Sequence, residues 1–160
     1  MKKLLFTIIL ATFSTHTSAQ DFDKGFTAFF NSDFEKAWKE LKPLAEKGHA
    51  NAQQKVGTMY EYGYGSLQDY TEALKWYKLS ARGGYFVGQY RLAEMYKKGL
   101  GIPQNNILAH VWFNIASVNG QLYSADYRDK LAELMSPNDV LKAQEIAKEC
   151  MKSDYNKCGY

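Results

Sequence analysis

His49 and His110 are the only imidazoles beyond the first twenty residues, and neither stands in a context suited to catalysis. His49 follows the helix-ending Gly48 in a turn, and His110 falls where the preceding unit of the chain carries Leu74. The sequence has no HExxH, no phosphate-binding glycine loop and no Cys/His metal spacing. The glycine pairs Gly63/Gly65 and Gly99/Gly101 separate helical runs and follow no strand, which argues against a nucleotide loop. Glu61, Glu72 and Glu94 read as scattered surface carboxylates, from which no acid and base pair can be selected. No catalytic residue, metal ligand or cofactor site is therefore expected.

Cys150 and Cys158 carry the remaining chemistry. An even cysteine count in an exported chain favours a disulfide. A helix continued between them would hold them about 12 Å apart, beyond the bonding limit of about 7 Å between α-carbons. The chain must turn back, and Asp154, Asn156 and Gly159 offer the turn chemistry.

The elements around these residues repeat. Ala52, Gln53, Val56, Gly57, Met59, Tyr60, Gly63, Gly65, Asp69, Ala73, Trp76, Tyr77 and Gly84 recur, identical or similar, as Gly88, Gln89, Leu92, Ala93, Met95, Tyr96, Gly99, Gly101, Asn105, Ala109, Trp112, Phe113 and Gly120. Asp33, Ala37, Ala45 and Gly48 extend the same register backwards. A period in the thirties implies stacked supersecondary units. Within a unit, Ala52, Val56, Met59 and Tyr60 form one helical face. Asp69 then caps a second helix with Glu72 in capping-box register, and Gly83/Gly84 stop it. The expected fold is all-α, an α-solenoid of stacked helical hairpins. It has about three repeats (21–48, 49–84, 85–120) followed by capping helices and a disulfide tail (121–160). Gly57 shares its site with Ala93, so alanine is expected to be tolerated there.

The run Gly57, Met59, Tyr60, Gly63, Gly65, Asp69, Ala73, Trp76, Tyr77, Ala81, Gly84 resembles the Sel-one-like repeat (SLR), a tetratricopeptide relative with a longer glycine-containing turn. Gly99, Gly101, Ile102, Asn105, Ala109, Trp112 and Gly120 match again, with Asn105 standing where the family usually has Asp. The resemblance covers roughly residues 25 to 150. It implies a solenoid that binds or scaffolds other proteins, and no reaction.

Residues 1–19 read as a secretory signal peptide: basic Lys2 and Lys3, an apolar run from Leu4 to Phe13, and small Thr17, Ser18 and Ala19. Residues 20–160 then form a single domain, periplasmic or secreted, with no membrane span after cleavage. Without Lys2 and Lys3, 18 basic residues face 17 acidic ones, so nothing argues for nucleic acid. Phe22, Phe26, Phe29 and Phe30 at helical spacing are expected to pack onto the second unit, and Pro43 to bend or shorten its helix. A longer helix is expected from Gln121, carrying Leu122, Leu131, Leu134 and Met135, and a last one from Pro137 to Met151, capped by Ser136.

What is left for function is surface. If first helices line the concave side, as the resemblance implies, Gln54, Lys55, Thr58, Glu61 and Tyr62 lie beside Tyr90, Arg91, Glu94, Lys97 and Lys98. These ten form the candidate protein-binding face of a non-catalytic extracytoplasmic module, an adaptor, regulator or inhibitor/immunity-type binder whose partner is another protein. The alternative is a β-lactam- or cell-wall-acting enzyme. Cysteine-rich relatives associated with that chemistry carry a cysteine pair in successive repeats, whereas the eight-residue step from Cys150 to Cys158 occurs once.

Overall fold

The computed structural model describes residues 21–159, and among these it holds eight helices and no strand. The expected leader lies outside the described residues. Helix α1 is helical over 21–30, followed by α2 (Phe34–Glu46), α3 (Ala50–Tyr62), α4 (Tyr70–Arg82), α5 (Phe86–Lys98), α6 (Asn106–Val118), α7 (Ser124–Ala132) and α8 (Pro137–Lys152). Each of α2 to α6 is 13 residues long, so the repeat seen in the sequence is a repeat of equal rods.

The rods start and stop for the same reasons in each unit. Asp33, Asp69 and Asn105, in equivalent positions, cap α2, α4 and α6 by accepting from backbone N–H groups of the first turn. Such a cap contributes about 1 kcal/mol. Gly63 and Gly99 end α3 and α5 in the left-handed region (φ 71° and 68°) and return their N–H groups to Met59 and Met95. The units are clamped by one device used twice. Gln53 Nε2 donates to the Ala45 carbonyl at 3.1 Å, and Gln89 Nε2 to the Ala81 carbonyl at 3.2 Å. Both glutamines are buried, so each fills a need of the preceding helix end that water cannot meet.

The core forms two clusters that meet at Tyr60. One joins α1, α2 and α3 with Trp76, and the other runs from α4 to the tail around Tyr77, Tyr96, Trp112 and Phe113. The helices α3 and α5 touch directly, whereas no comparable contact joins α4 to α6. Helices on the inside of a curve lie closer than those outside it, so α3 and α5 lie in the inner layer.

Three expectations need correction. The helix expected from Gln121 begins only at Ser124 and spans nine residues. The end of α6 folds back through a Gln121 N–H to Ala116 carbonyl bond of 2.9 Å, leaving Leu122 and Leu134 exposed. Pro43 does not shorten α2, which runs three residues past it and matches its neighbours in length. Pro43 lacks the N–H that would have bonded the Lys39 carbonyl, but the helix is not cut there. Of the four phenylalanines, Phe22 stacks on the His49 ring at 4.8 Å and Phe29 packs on Phe34 and Tyr64, but Phe30 remains 67% exposed.

After α8 the chain does turn back. Asp154 and Tyr155 adopt left-handed φ of 50° and 61°, and Cys150 and Cys158 are disulfide-bonded with 4.4 Å between α-carbons. The loop so closed carries Tyr155 to Asn119, whose amide donates to the Tyr155 hydroxyl at 2.8 Å and to Gln89 Oε1 at 2.9 Å. The tail is thereby tied to the third repeat.

Candidate protein-binding face

The ten candidate residues lie on α3 and α5, and the inner layer does bring these helices together. They are not equally presented. Gln54, Thr58 and Glu61 are buried, with 3%, 8% and 7% exposure, which corrects their reading as surface groups. Tyr62 and Lys98 are exposed, while Lys55, Tyr90, Arg91, Glu94 and Lys97 are half-buried.

The first three are joined in one hydrogen-bond chain through Tyr77 of α4. Its hydroxyl donates to Glu61 Oε2 at 2.6 Å and lies 3.1 Å from Thr58 Oγ1, and Thr58 in turn accepts from Gln54 Nε2 at 2.8 Å. Charge-assisted bonds of this kind are about twice as strong as neutral ones. Burial, followed by the Glu61 carboxylate, holds the Tyr77 phenol protonated well above its ordinary range. The ring packs against Gly57, where an added Cβ would stand 2.7 Å from Tyr77 Cε1. Tolerance of alanine at this site is therefore not expected after all. No spacing in the sequence pairs Tyr77 with Glu61, because they come from different helices. The one available signal was that Gly57 goes with tyrosine while Ala93 goes with phenylalanine.

Arg91 stands next to this cluster. It bonds Glu94 at 3.3 Å, and Lys98 reaches the other oxygen of Glu94 at 3.2 Å. Burial opposes the Arg91 charge, but Tyr77, Glu61, Tyr62 and Glu94 outweigh it and raise the guanidinium pKa. Lys55 lies on the other side, with Nζ 5.0 Å from the ring centres of Phe26 and Phe29 and 5.6 Å from that of Phe30. Burial first and Arg91 second lower its pKa. Towards α7, Tyr90, Phe113 and Tyr127 form an aromatic cluster with centroids 5.6 to 5.7 Å apart, and Lys97 lies over Tyr127 at 5.5 Å. Tyr127 was not among the residues singled out from the sequence, since it lies beyond the last clear repeat.

The histidines take structural positions. Nδ1 of His49 caps α3 by accepting from Ala52 N–H at 3.3 Å. His110 is buried, and burial together with Arg128 pushes its pKa down. Among the described residues, no group of three or more His, Cys, Asp and Glu side chains could hold a metal. Nor is any helix among them long and apolar enough to cross a membrane.

Residues 50–85 and 87–120 match the Sel1 repeat. The chain carries two Sel1 repeats. Its fold is similar to that of c5321, a protective antigen present in uropathogenic Escherichia coli strains displaying an SLR fold, with a TM-score of 0.81 and 23% identity. That match covers 86% of this chain but 31% of the other, so the chain spans about a third of that antigen's length. It is also similar to a Sel1 repeat protein from Oxalobacter formigenes, with a TM-score of 0.65 and 26% identity over 78% of this chain and 97% of that one. Among curated proteins none matches. Sel1 repeats generally mediate binding between proteins, and the fold is typically a non-catalytic scaffold.

Proposed function

We propose that this Sel1-repeat chain is a non-catalytic extracytoplasmic binding module that docks another protein on its inner layer, through the face bounded by Lys55, Tyr62, Tyr90, Arg91, Lys97 and Lys98. One observation carries the reading. Between the second and third repeats the packing positions recur, as in Met59/Met95, Tyr60/Tyr96 and Trp76/Trp112, whereas the accessible inner positions differ: Tyr62 gives way to Lys98, and Tyr90 and Lys97 stand where the second repeat has the buried Gln54 and Glu61. A surface serving the fold alone has no need of such differences, while a surface shaped to an asymmetric partner does. Export rests on the leader and is supported by the disulfide, which persists in oxidising compartments. The rival enzymatic reading has the eight-residue cysteine step in its favour, but both sulfurs are joined in the tail, away from the inner face.

A photo-crosslinking residue placed at Tyr62 or Tyr90 should trap one partner from envelope extract, and the same residue at Lys75 on α4 should not. Equal trapping from both layers would remove the inner-face assignment. Turnover of a chromogenic β-lactam by the intact exported chain would remove the non-catalytic one.

A further inference from the structure

Lys55 and Arg91 occupy the same position of successive repeats, thirty-six residues apart, and theirs is the one inner pair of the five that keeps its charge sign. They sit in the same register of α3 and α5, helices that touch, each is half-buried, and the Arg91 charge adds to burial in lowering the Lys55 pKa. Neighbouring cations that are partly desolvated are unfavourable unless an anion lies near them, because like charges raise each other's energy most where water is scarce. Glu94 supplies such an anion to Arg91 and shares it with Lys98. Lys55 has none. Among the described residues no carboxylate pairs with it, and its ammonium is held over the rings of Phe26, Phe29 and Phe30. The Nε–H of Arg91 is also without a hydrogen-bond partner. Across the ten candidate residues, four cations stand against two carboxylates, and one of those, Glu61, is buried and engaged by Tyr77.

We propose that Lys55 and Arg91 together seat one carboxylate of an acidic peptide segment on the partner protein, with exposed Phe30 and Tyr62 taking apolar groups on either side of it. The proposal rests on the inner-face reading given above and names the chemistry of its occupant. A peptide suits the groove better than a free anion. Rings stand beside both cations, Phe30 next to Lys55 and Tyr90 and Tyr62 next to Arg91, and an inorganic ion would use only the cations. A charge pair formed in this recess is shielded from salt more than one on an open surface, so it should contribute to specificity as well as to encounter rate.

Random dodecapeptides displayed against the whole exported chain provide the test, with selections repeated on Lys55→Gln. Wild-type protein should enrich peptides with Asp or Glu at one fixed position flanked by apolar residues, and Lys55→Gln should lose that enrichment. Measured by fluorescence anisotropy, an enriched peptide should bind Lys55→Gln at least tenfold more weakly and Lys55→Arg nearly as well as wild type. Replacing its acidic residue by the amide should cost as much, and the two changes together no more than either alone, as befits one shared contact. Arg91→Gln is the harsher variant because it removes the cation beside buried Glu61 and leaves Glu94 with Lys98 alone, so Lys55→Gln decides the matter even if the arginine variant fails to fold. Peptides that bind the inner face with no fixed acidic position, or whose acidic position survives Lys55→Gln, overturn the carboxylate seat and leave the docking face standing. No enrichment at all, or enrichment unaffected by substitutions at Tyr62 and Tyr90, overturns both.

Discussion

The second and third repeats are built on the same rods, caps and inter-unit glutamines, yet their hearts differ. In the second, Tyr77 of α4 reaches across Gly57 to Glu61 and Thr58 of α3. In the third, Phe113 takes the tyrosine's place, Ala93 the glycine's and Lys97 that of the glutamate. Phe113 has no hydroxyl to anchor, and its ring turns instead to Tyr90 and stacks on Tyr127 of α7 at 5.6 Å. A hydroxyl bonded to both Thr58 and Glu61 fixes its ring against the helix at residue 57, where only glycine leaves room. A ring without that tether leaves room for a methyl group. The repeat thus tolerates two solutions at one site, each a matched set of three residues.

The largest effect that would test the equivalence of the two units lies at their turns. Gly65 and Gly101 both adopt left-handed φ, but a Cβ at Gly101 would run into the Tyr70 carbonyl, whereas at Gly65 it would stand 3.0 Å from the Phe34 carbonyl. Gly101→Ala should cost about 3 kcal/mol, combining left-handed strain with overpacking against rigid backbone. Gly65→Ala should cost about half as much. Equal shifts in urea midpoint would show that the two turns are packed alike.

Next comes the matched set itself. Gly57→Ala should destabilise by about 1 to 3 kcal/mol, because the Tyr77 ring cannot retreat without breaking its bonds to Glu61 and Thr58. Ala93→Gly in the other unit should cost only the helix-interior penalty of about 0.5 to 1 kcal/mol. The contrast sharpens in the double variant. With Tyr77→Phe the tether is gone, and Gly57→Ala should then be better tolerated than in the wild type, a coupling readable from denaturation midpoints. Additive costs would mean that the ring is fixed by packing alone.

These expectations reverse what the alignment of the repeats suggests for Gly57, and the reason is instructive. The helices, their caps at Asp69 and Ser136, the interhelical turns and the tail disulfide were all legible because each follows from neighbours in sequence. The buried state of Gln54, Thr58 and Glu61 was not, since polar side chains on a first helix read as wet until Tyr77, sixteen residues beyond Glu61, is known to reach them. Nor was Lys55 legible as a cation without an acid, because α1 reaches it only in the fold. The short α7 was missed for a simpler reason. Leu122, Leu131, Leu134 and Met135 look like a helical face, but the closure of α6 through Gly120 and Gln121 uses up the first turn of it.

Removing the Tyr77 hydroxyl alone comes third in size and adds a pH signature. Tyr77→Phe leaves the Glu61 carboxylate buried without its donor and should cost about 1 to 3 kcal/mol at neutral pH. Because the folded phenol titrates above the ordinary tyrosine range, its contribution is fully present below about pH 10, where unfolded tyrosine is protonated, and is lost as pH rises through the folded value. Wild type should therefore lose stability above about pH 10 more steeply than Tyr77→Phe. Parallel losses would place the alkaline titration elsewhere, at Tyr62, Tyr85 or Tyr90, which are shifted in the same direction.

The smallest effect belongs to the outer end of the inner face, where Lys98 meets Glu94 at 3.2 Å. Lys98 is half exposed, and such an i, i+4 pair on a helix contributes about 0.3 to 0.5 kcal/mol, part of it screened at physiological salt. Lys98→Ala should therefore leave the thermal midpoint almost unmoved. Its counterpart in the second repeat is Tyr62, which makes no ion pair but stacks on Tyr64 at 5.5 Å, so Tyr62→Ala should also be mild for stability. The two sites separate only when a partner is present. If the inner face is where binding occurs, Tyr62→Ala should weaken capture at least tenfold, because a large half-exposed ring beside a guanidinium has the makings of a hot spot, whereas Lys98→Ala should change mainly the salt dependence of association. A Lys98→Ala that abolishes binding while Tyr62→Ala leaves it intact would move the centre of the docking face from the second repeat to the third, onto the Tyr90 and Tyr127 cluster.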